Sequence, residues 1–262
     1  MKNPQFAIIT TTYKRPDLVL RSVASVEAQN NTNWDLYVVI DDTESSYENL
    51  FELSEYKPKI HCLQNKSNMG KNASANRVLD LLSEKFFTGY IIFLDDDDWL
   101  DQNCLSSFAD TIRQNPNQSW LVTNRNNQRT TQSYTNNKTG RTQIYYPTDV
   151  LLFRRFWGDA THCLKFSDVQ LLRFPTTIKN AEEWIYFCTV AKTVGTFLYN
   201  NNTGTWSDGY EPDGLTNVRP SLKMCLAKNK LVWDELLKQS KLLCTIPVIT
   251  YFVFRVIKSF WR

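Results

Sequence analysis

The 262-residue sequence carries only two histidines, and its six cysteines show no CxxC and no short Cys–His spacing. That excludes the usual zinc motifs and fits buried, reduced thiols in a cytosolic protein. Eight glycines and nine prolines are too few for a low-complexity or disordered chain. The GxxxxGK spacing of a P-loop is missing, and no segment repeats. The apolar stretch at the N-terminus is too short for a signal peptide, and no run reaches the roughly 20 residues that a membrane-spanning helix needs.

What is present bounds the rest. An apolar content of 42% supplies a core for one large domain, or a domain with an appendage. The formal charge of +3 is uneven. Residues 219–262 hold nine Lys/Arg and two Asp/Glu, a net of +7, which leaves −4 for the remainder. Basic segments suggest nucleic acid first. This one lacks a nucleic-acid module and interleaves its aromatics with Leu, Ile and Val, so an anionic membrane surface fits better.

Apolar runs and helical patterns alternate through the first half. Strands are predicted at 6–12, 35–40, 60–63, 90–94 and 119–123, and helices at 16–29, 71–82 and 101–113. That order implies βαβ units and a parallel sheet. LYVVI, at 36–40, is a continuous apolar run of the kind a doubly covered strand needs. Residues 124–142 read as a polar loop or loose hairpin. Strands follow at 144–146, 161–166 and 195–199, a helix at 181–193, and a mobile loop at 200–217. Helices at 221–241 and about 247–261 close the chain. The predicted division is a catalytic domain at 1–218, with halves at 1–123 and 124–218, and a basic amphipathic tail at 219–262.

The run FLDDDDWL, residues 93–100, is the strongest chemical signal. In extended chain Asp95 and Asp97 share a face. Two carboxylates at a strand's carboxyl end suit Mg²⁺ or Mn²⁺ and a ribose or diphosphate. Taken alone, an acidic run is more often a solvated turn. Three further segments fall at strand or helix ends: ITTTYKRP at 9–16, VVIDDTESS at 38–46 and NMGKNASAN at 68–76. In a parallel sheet these ends lie on one edge.

This set resembles the family-2 inverting glycosyltransferases of GT-A fold, in order and spacing over roughly residues 5–200. The resemblance implies an α/β nucleotide-diphospho-sugar transferase fold, with a mostly parallel central sheet flanked by helices and a C-terminal helical tail. It places Thr12, Tyr13 and Arg15 in the donor site and gives Asp41 a hydrogen bond from the uracil imide. Asp42 is better read as a turn residue. Asn68, Gly70 and Lys71 match the family's Asn-x-Gly element. Lys71 would reach the diphosphate at a helix N-terminus, though a solvated helix lysine fits the same position. The family's usual Arg is replaced by Ala75, with Arg77 two residues on. Asp95-x-Asp97 stands for the DxD element. Asp97 is then the metal ligand, and Asp95 contacts ribose, metal or metal-bound water. The acidic pair Glu182-Glu183 matches the element whose second member is the general base. An inverting transfer needs a carboxylate to take the acceptor hydroxyl's proton. Against this, Asn180 and Glu183 have capping-box spacing, in which case Glu182 would be the base.

His61 reads as structural and His162 as packed or facing the acceptor. Trp206 and Asp208 lie on the predicted mobile loop, where an aromatic could stack on a sugar. Trp99 and Trp184 fit an acceptor site or the core equally. The whole implies transfer of a hexose from a UDP-sugar, UDP-Glc or UDP-Gal first, to an acceptor linked to undecaprenyl diphosphate in O-antigen or capsule assembly. The enzyme would sit peripherally on the inner face of the plasma membrane. Rival readings are a soluble glycan or protein acceptor, and an inactive GT-A binding module.

Overall fold

A computed structural model describes residues 3–43, 47, 54–177, 179, 182–209, 222–238, 249–250, 253–254 and 256–257. In chain order the elements are β1 (Phe6–Thr12), α1 (Pro16–Glu27), β2 (Trp34–Ile40), β3 (Ile60–Gln64), α2 (Lys71–Glu84), β4 (Tyr90–Phe93), β5 (Asp98–Leu100) and α3 (Cys104–Gln114). Then come β6 (Trp120–Asn127), β7 (Asn136–Asn137), β8 (Gln143–Ile144), a π-helical segment (Tyr146–Leu152), β9 (Phe156–Trp157) and β10 (Ala160–Lys165). The last are α4 (Phe166–Val169), α5 (Glu183–Val194), β11 (Phe197–Ser207) and α6 (Leu222–Lys238).

The main sheet runs β3-β2-β1-β4-β10-β6-β11-β5, with β8 beside β11. β1 to β4 are mutually parallel. The chain moves outward from β1 to β3, then returns to β1's other side as β4. That reversal opens a crevice at the carboxyl ends of β1 and β4. β10 is antiparallel to both β4 and β6. Its first residues, Ala160 to His162, therefore lie on the same edge as the carboxyl ends of β4 and β6. β11 is parallel to β6 and delivers Thr205 and Ser207 there too.

Period-two alternation assigns the core. Phe6 and Ile8 of β1 face α1 and α3, against Val23, Leu105 and Phe108. Ala7 and Ile9 face α2 and α5, against Leu79, Leu82 and Ile185. Each fully buried large apolar side chain contributes roughly 1.5–3 kcal/mol.

Three predictions fail locally and a fourth holds in part. Residues 95–97 do not continue the strand: Asp98 N donates to Asp95 O at 3.2 Å, closing a turn between β4 and β5. β6 continues to Asn127 into the segment read as a polar loop or loose hairpin, and the antiparallel bridge of Asn126 with Ser133 makes the hairpin. The strand expected at 144–146 gives way at once to the π-helical segment, with Pro147 in its first turn. The predicted mobile loop is, up to Ser207, the second half of β11; residues 210–217 lie outside the described residues. Gly204 lets β11 pass here, since a Cβ would overlap Thr123 Oγ1 and lie 2.5 Å from Thr161 Oγ1.

α6, assigned by sequence to the tail, buries Val232 completely in the α2/α5 core cluster. It is docked on the domain rather than separate from it. The predicted 218/219 boundary lies outside the described residues, as do Arg255, Lys258, Phe260, Trp261 and Arg262. Residues 249–250, 253–254 and 256–257 are helical.

Candidate active site

Asp41 sits at the end of β2, where its N–H donates to Thr12 O at 2.8 Å and ties β2 to β1. Its buried carboxylate accepts from Asn65 Nδ2, Met69 N and Gly70 N, each at 2.7 Å. Those bonds use most of a carboxylate's acceptor capacity. Asp41 thus shapes the Asn68-Met69-Gly70 loop directly. Gly70 caps α2 at φ 91°, a left-handed backbone that favours glycine. Asn68 Oδ1, lining the cleft, is buried without a hydrogen-bond partner among the described residues. Such an acceptor awaits a ligand donor. Arg77 does not replace the missing family Arg in the cleft; it braces Gln64 O and Asn65 Oδ1 at 2.8 and 2.9 Å. Asp42 accepts from Lys14 N at 3.0 Å, a turn role as expected.

The acidic turn faces this loop across the crevice. One carboxylate oxygen each from Asp95, Asp97 and Asp98 lies within 4.8 Å of the others. Asp98 also takes a forked pair from Arg125, Nε at 2.7 Å and Nη2 at 2.8 Å. Asp97 meets Arg15 Nη1 at 3.4 Å, and the same nitrogen lies 3.5 Å from Asp96. Burial, then the neighbouring Asp95 charge, raises the Asp97 carboxyl. Burial lifts Asp98 to about 6 against its bonds to Arg125, and lifts Asp96 to about 6 against a bond from Thr12. For Asp95 burial acts upward too, but the charge and hydrogen bond of Lys71 outweigh it, so its carboxyl falls below the usual value. A cluster of hard oxygens that repel one another, open to the cleft at Asp95 and Asp97, fits a divalent cation.

Lys71 is the link to the second acidic element. Its Nζ lies 2.6 Å from Asp95 Oδ1 and 2.6 Å from Glu183 Oε1. Glu183 opens α5 with its carboxylate half-exposed at the cleft. The N-cap is Glu182; Asn180, the cap of the expected capping box, lies outside the described residues. Glu182 has left-handed backbone, φ 70°, and no side-chain bond to the helix N–H groups. Its carboxylate is buried, accepting from Trp184 Nε1 at 2.5 Å and pairing with Lys228 Nζ of α6 at 2.9 Å. It points to α6, not to the acidic turn.

The cleft encloses about 720 Å³. Thr12, Tyr13, Arg15, Asp41, Asn68 and Lys71 line one part, with the acidic turn and Glu183 at the middle. Beyond them the wall turns aromatic, with Tyr146, Phe156, His162, Phe187 and Phe197. His162 stacks on Phe187 at 4.1 Å between ring centres. Its Nδ1 accepts from Trp120 Nε1 at 3.0 Å, so the ring proton sits on Nε2. Burial lowers this histidine to about 3, which keeps it neutral.

Some expected site residues lie elsewhere. Trp206 is in β11, bonding Asp101 at 3.0 Å through Nε1. It pairs in register with Trp99, whose ring carries Arg21 at 4.2 Å. Asp208 pairs with Arg21 and Arg129. None of the three lines the cleft. His61 is structural, bonding Asp35 at 3.0 Å. Sequence reasoning missed Arg125, because TNRNN has no catalytic pattern and only the β6–β11 pairing brings it to Asp98. It also missed Tyr47, whose hydroxyl accepts from Arg15 N at 2.8 Å.

The Glycosyl transferase family 2 model matches residues 7–172. The putative colanic acid biosynthesis glycosyl transferase WcaA of Escherichia coli K12 is 31% identical over 124 residues, 47% of this chain and 43% of that protein. The chain therefore matches less than half the length of that relative. The fold is that of S. aureus TarS 1-349 in complex with UDP-GlcNAc, at TM-score 0.66 and 16% identity over 87% of this chain and 65% of that one. It is also that of the mannosyltransferase PcManGT from Pyrobaculum calidifontis in complex with GDP-Man and Mn²⁺, at TM-score 0.60 and 12% identity over 99% and 74%.

Proposed function

The chain belongs to glycosyl transferase family 2, and from that premise we propose that it transfers a hexose from a UDP-sugar, with inversion, to a sugar hydroxyl of a lipid-diphosphate-linked acceptor in bacterial surface polysaccharide assembly. The observation that carries this reading is the meeting of the Asp95–Asp97–Asp98 cluster and Glu183 on the two sides of Lys71 Nζ. TarS with UDP-GlcNAc and PcManGT with GDP-Man and Mn²⁺ support a nucleotide-sugar donor and a divalent ion.

Asp97 and Asp95 would hold Mn²⁺ or Mg²⁺, with Asp98 held beside them by Arg125, and the ion's charge would offset that of the leaving diphosphate. Thr12, Tyr13, Arg15, Asp41 and Asn68 would form the nucleotide wall, with Asn68 Oδ1 as the open acceptor. Lys71 pairs Asp95 and Glu183 across the cleft. A diphosphate offers it a competing anion, and turning to that anion releases Glu183. Glu183 then accepts the proton of the acceptor hydroxyl as its oxygen bonds to C1 and the C1–diphosphate bond breaks. Glu182, held by Trp184 and Lys228, has no place in that step.

The exposed apolar residues Leu226, Leu231, Val253, Phe254 and Ile257 support a peripheral membrane contact. No helix among the described residues is long and apolar enough to cross a membrane. The experiment is a donor screen by UDP release, with GlcNAc- or GalNAc-diphospho-lipid analogues as acceptors. Donor-dependent release that requires the lipid analogue supports the reading. UDP binding without turnover on any donor would leave a binding module instead.

A further inference from the structure

We infer that Lys228, on the helix after the sheet, is a positioning residue for Glu183: it holds Glu182, and Glu182 sets where the next residue's carboxylate stands. The inference rests on Glu183 being the base.

Glu182 is a costly choice for its position. A non-glycine residue at φ 70° persists only where its surroundings over-determine it, and such strain gathers at functional sites. A helix N-cap normally uses a short side chain to satisfy its own N–H groups. Glu182 does not do this. Its side chain, 3% exposed, has both oxygens occupied: Oε2 by Trp184 Nε1 of α5 itself, and Oε1 by Lys228 Nζ from α6. Its carbonyl accepts from Ile185 N at 3.1 Å and starts α5. The residue before the base is thus clamped through its side chain and its backbone.

The Lys228 end is equally fixed. Val232, one turn along, is fully buried in the core cluster, and Asn229 is buried beside Lys228. Residues four apart share a helix face, so the face that anchors α6 also presents Lys228. Losing this amine would take a positive charge away from a buried carboxylate. Glu182 would then turn toward water, and the first turn of α5 with it. Glu183 would shift relative to Asp95 and the acceptor. A misplacement of about 1 Å can cost 10²-fold in rate without touching donor contacts.

The test uses the full chain, with kcat and KM from UDP release, UDP binding by calorimetry and a thermal melt for each variant. Lys228→Met should lower kcat about 10–100-fold while KM for the donor and the UDP affinity stay within about twofold. Lys228→Arg should restore most of the loss. In a Glu182→Gln background, Lys228→Met should cost nothing more, because the pair acts as one unit. If Lys228→Met does not fold, Lys228→Gln, which leaves Glu182 a donor, is read by the same criteria. A kcat within about twofold of the unaltered chain overturns the inference, as do losses that multiply in the double variant. Glu183→Gln is run beside them. If it stays active, the base assignment itself falls; if it is dead while Lys228→Met is normal, only the positioning role is lost.

Discussion

Asp97 and Glu183 differ from their acidic neighbours in what they leave available. Asp96 is turned to Thr12 and Asp98 is forked by Arg125, whereas Asp97 meets Arg15 only at 3.4 Å. Asp97→Asn should abolish transfer and weaken UDP-sugar binding in Mn²⁺ with the melt unchanged. Full activity of that variant, or of the unaltered chain in EDTA, would refute the metal role. Glu183→Gln keeps shape and loses basicity, so it should bind donor normally and lose about 10²–10⁴-fold in kcat. His162 gives a prediction in pH. Neutral when folded, at about 3 against an ordinary 6.5, it takes up a proton on unfolding below about pH 6.5. Stability from this group is therefore whole above that pH and falls below it, by at most about 1.4 kcal/mol per pH unit. His162→Gln should flatten that part of the urea-midpoint curve between pH 7 and 5. Parallel curves for the two chains would count against a neutral, buried ring.

At the scale of elements, the second half of the sheet builds the cleft floor. β10 enters antiparallel between β4 and β6, and β11 closes over β6, so Thr123, Thr161, Gly204 and Thr205 meet at one crossing. Gly204 is required by the close approach of β11 to the threonines of β6 and β10. Gly204→Ala should destabilise by about 1–3 kcal/mol through overpacking, read as a lower chemical-denaturation midpoint. Since Arg125 is in register with Thr205, the same substitution should also weaken metal-dependent donor binding. A variant as stable as the parent would mean that β11 can shift without cost.

At the scale of the molecule, the basic C-terminal region divides in two. α6 belongs to the catalytic body, through Val232 and the Lys228–Glu182 pair. The proposed membrane contact would combine Leu226 and Leu231 of α6 with the residues after it, where Val253, Phe254 and Ile257 are exposed. Each basic residue near an anionic surface adds about 1 kcal/mol. The full chain should pellet with anionic vesicles and release in high salt or detergent. A chain ending at Lys241 keeps α6 and should stay folded and soluble. If the full chain ignores vesicles, the lipid-linked acceptor loses its main support.

The sequence by itself determined the alternation of strands and helices through α3, and it put the acidic run and the Asn-x-Gly loop at element ends. It did so because period-two and 3.6-residue patterns arise from near-neighbour sterics and from which side chains must leave water. It failed where neighbours in space are distant in the chain. The acidic run converges through a turn rather than through strand alternation. Asp98 gains its partner from β6, and Lys71 meets Glu183 only because α2 and α5 cover the same sheet face. Nothing local distinguishes Glu182 from Glu183. Tertiary packing separates them, burying one against Lys228 of α6 and leaving the other half-exposed at the cleft, because burial of a carboxylate requires a paired charge that only the assembled fold can bring.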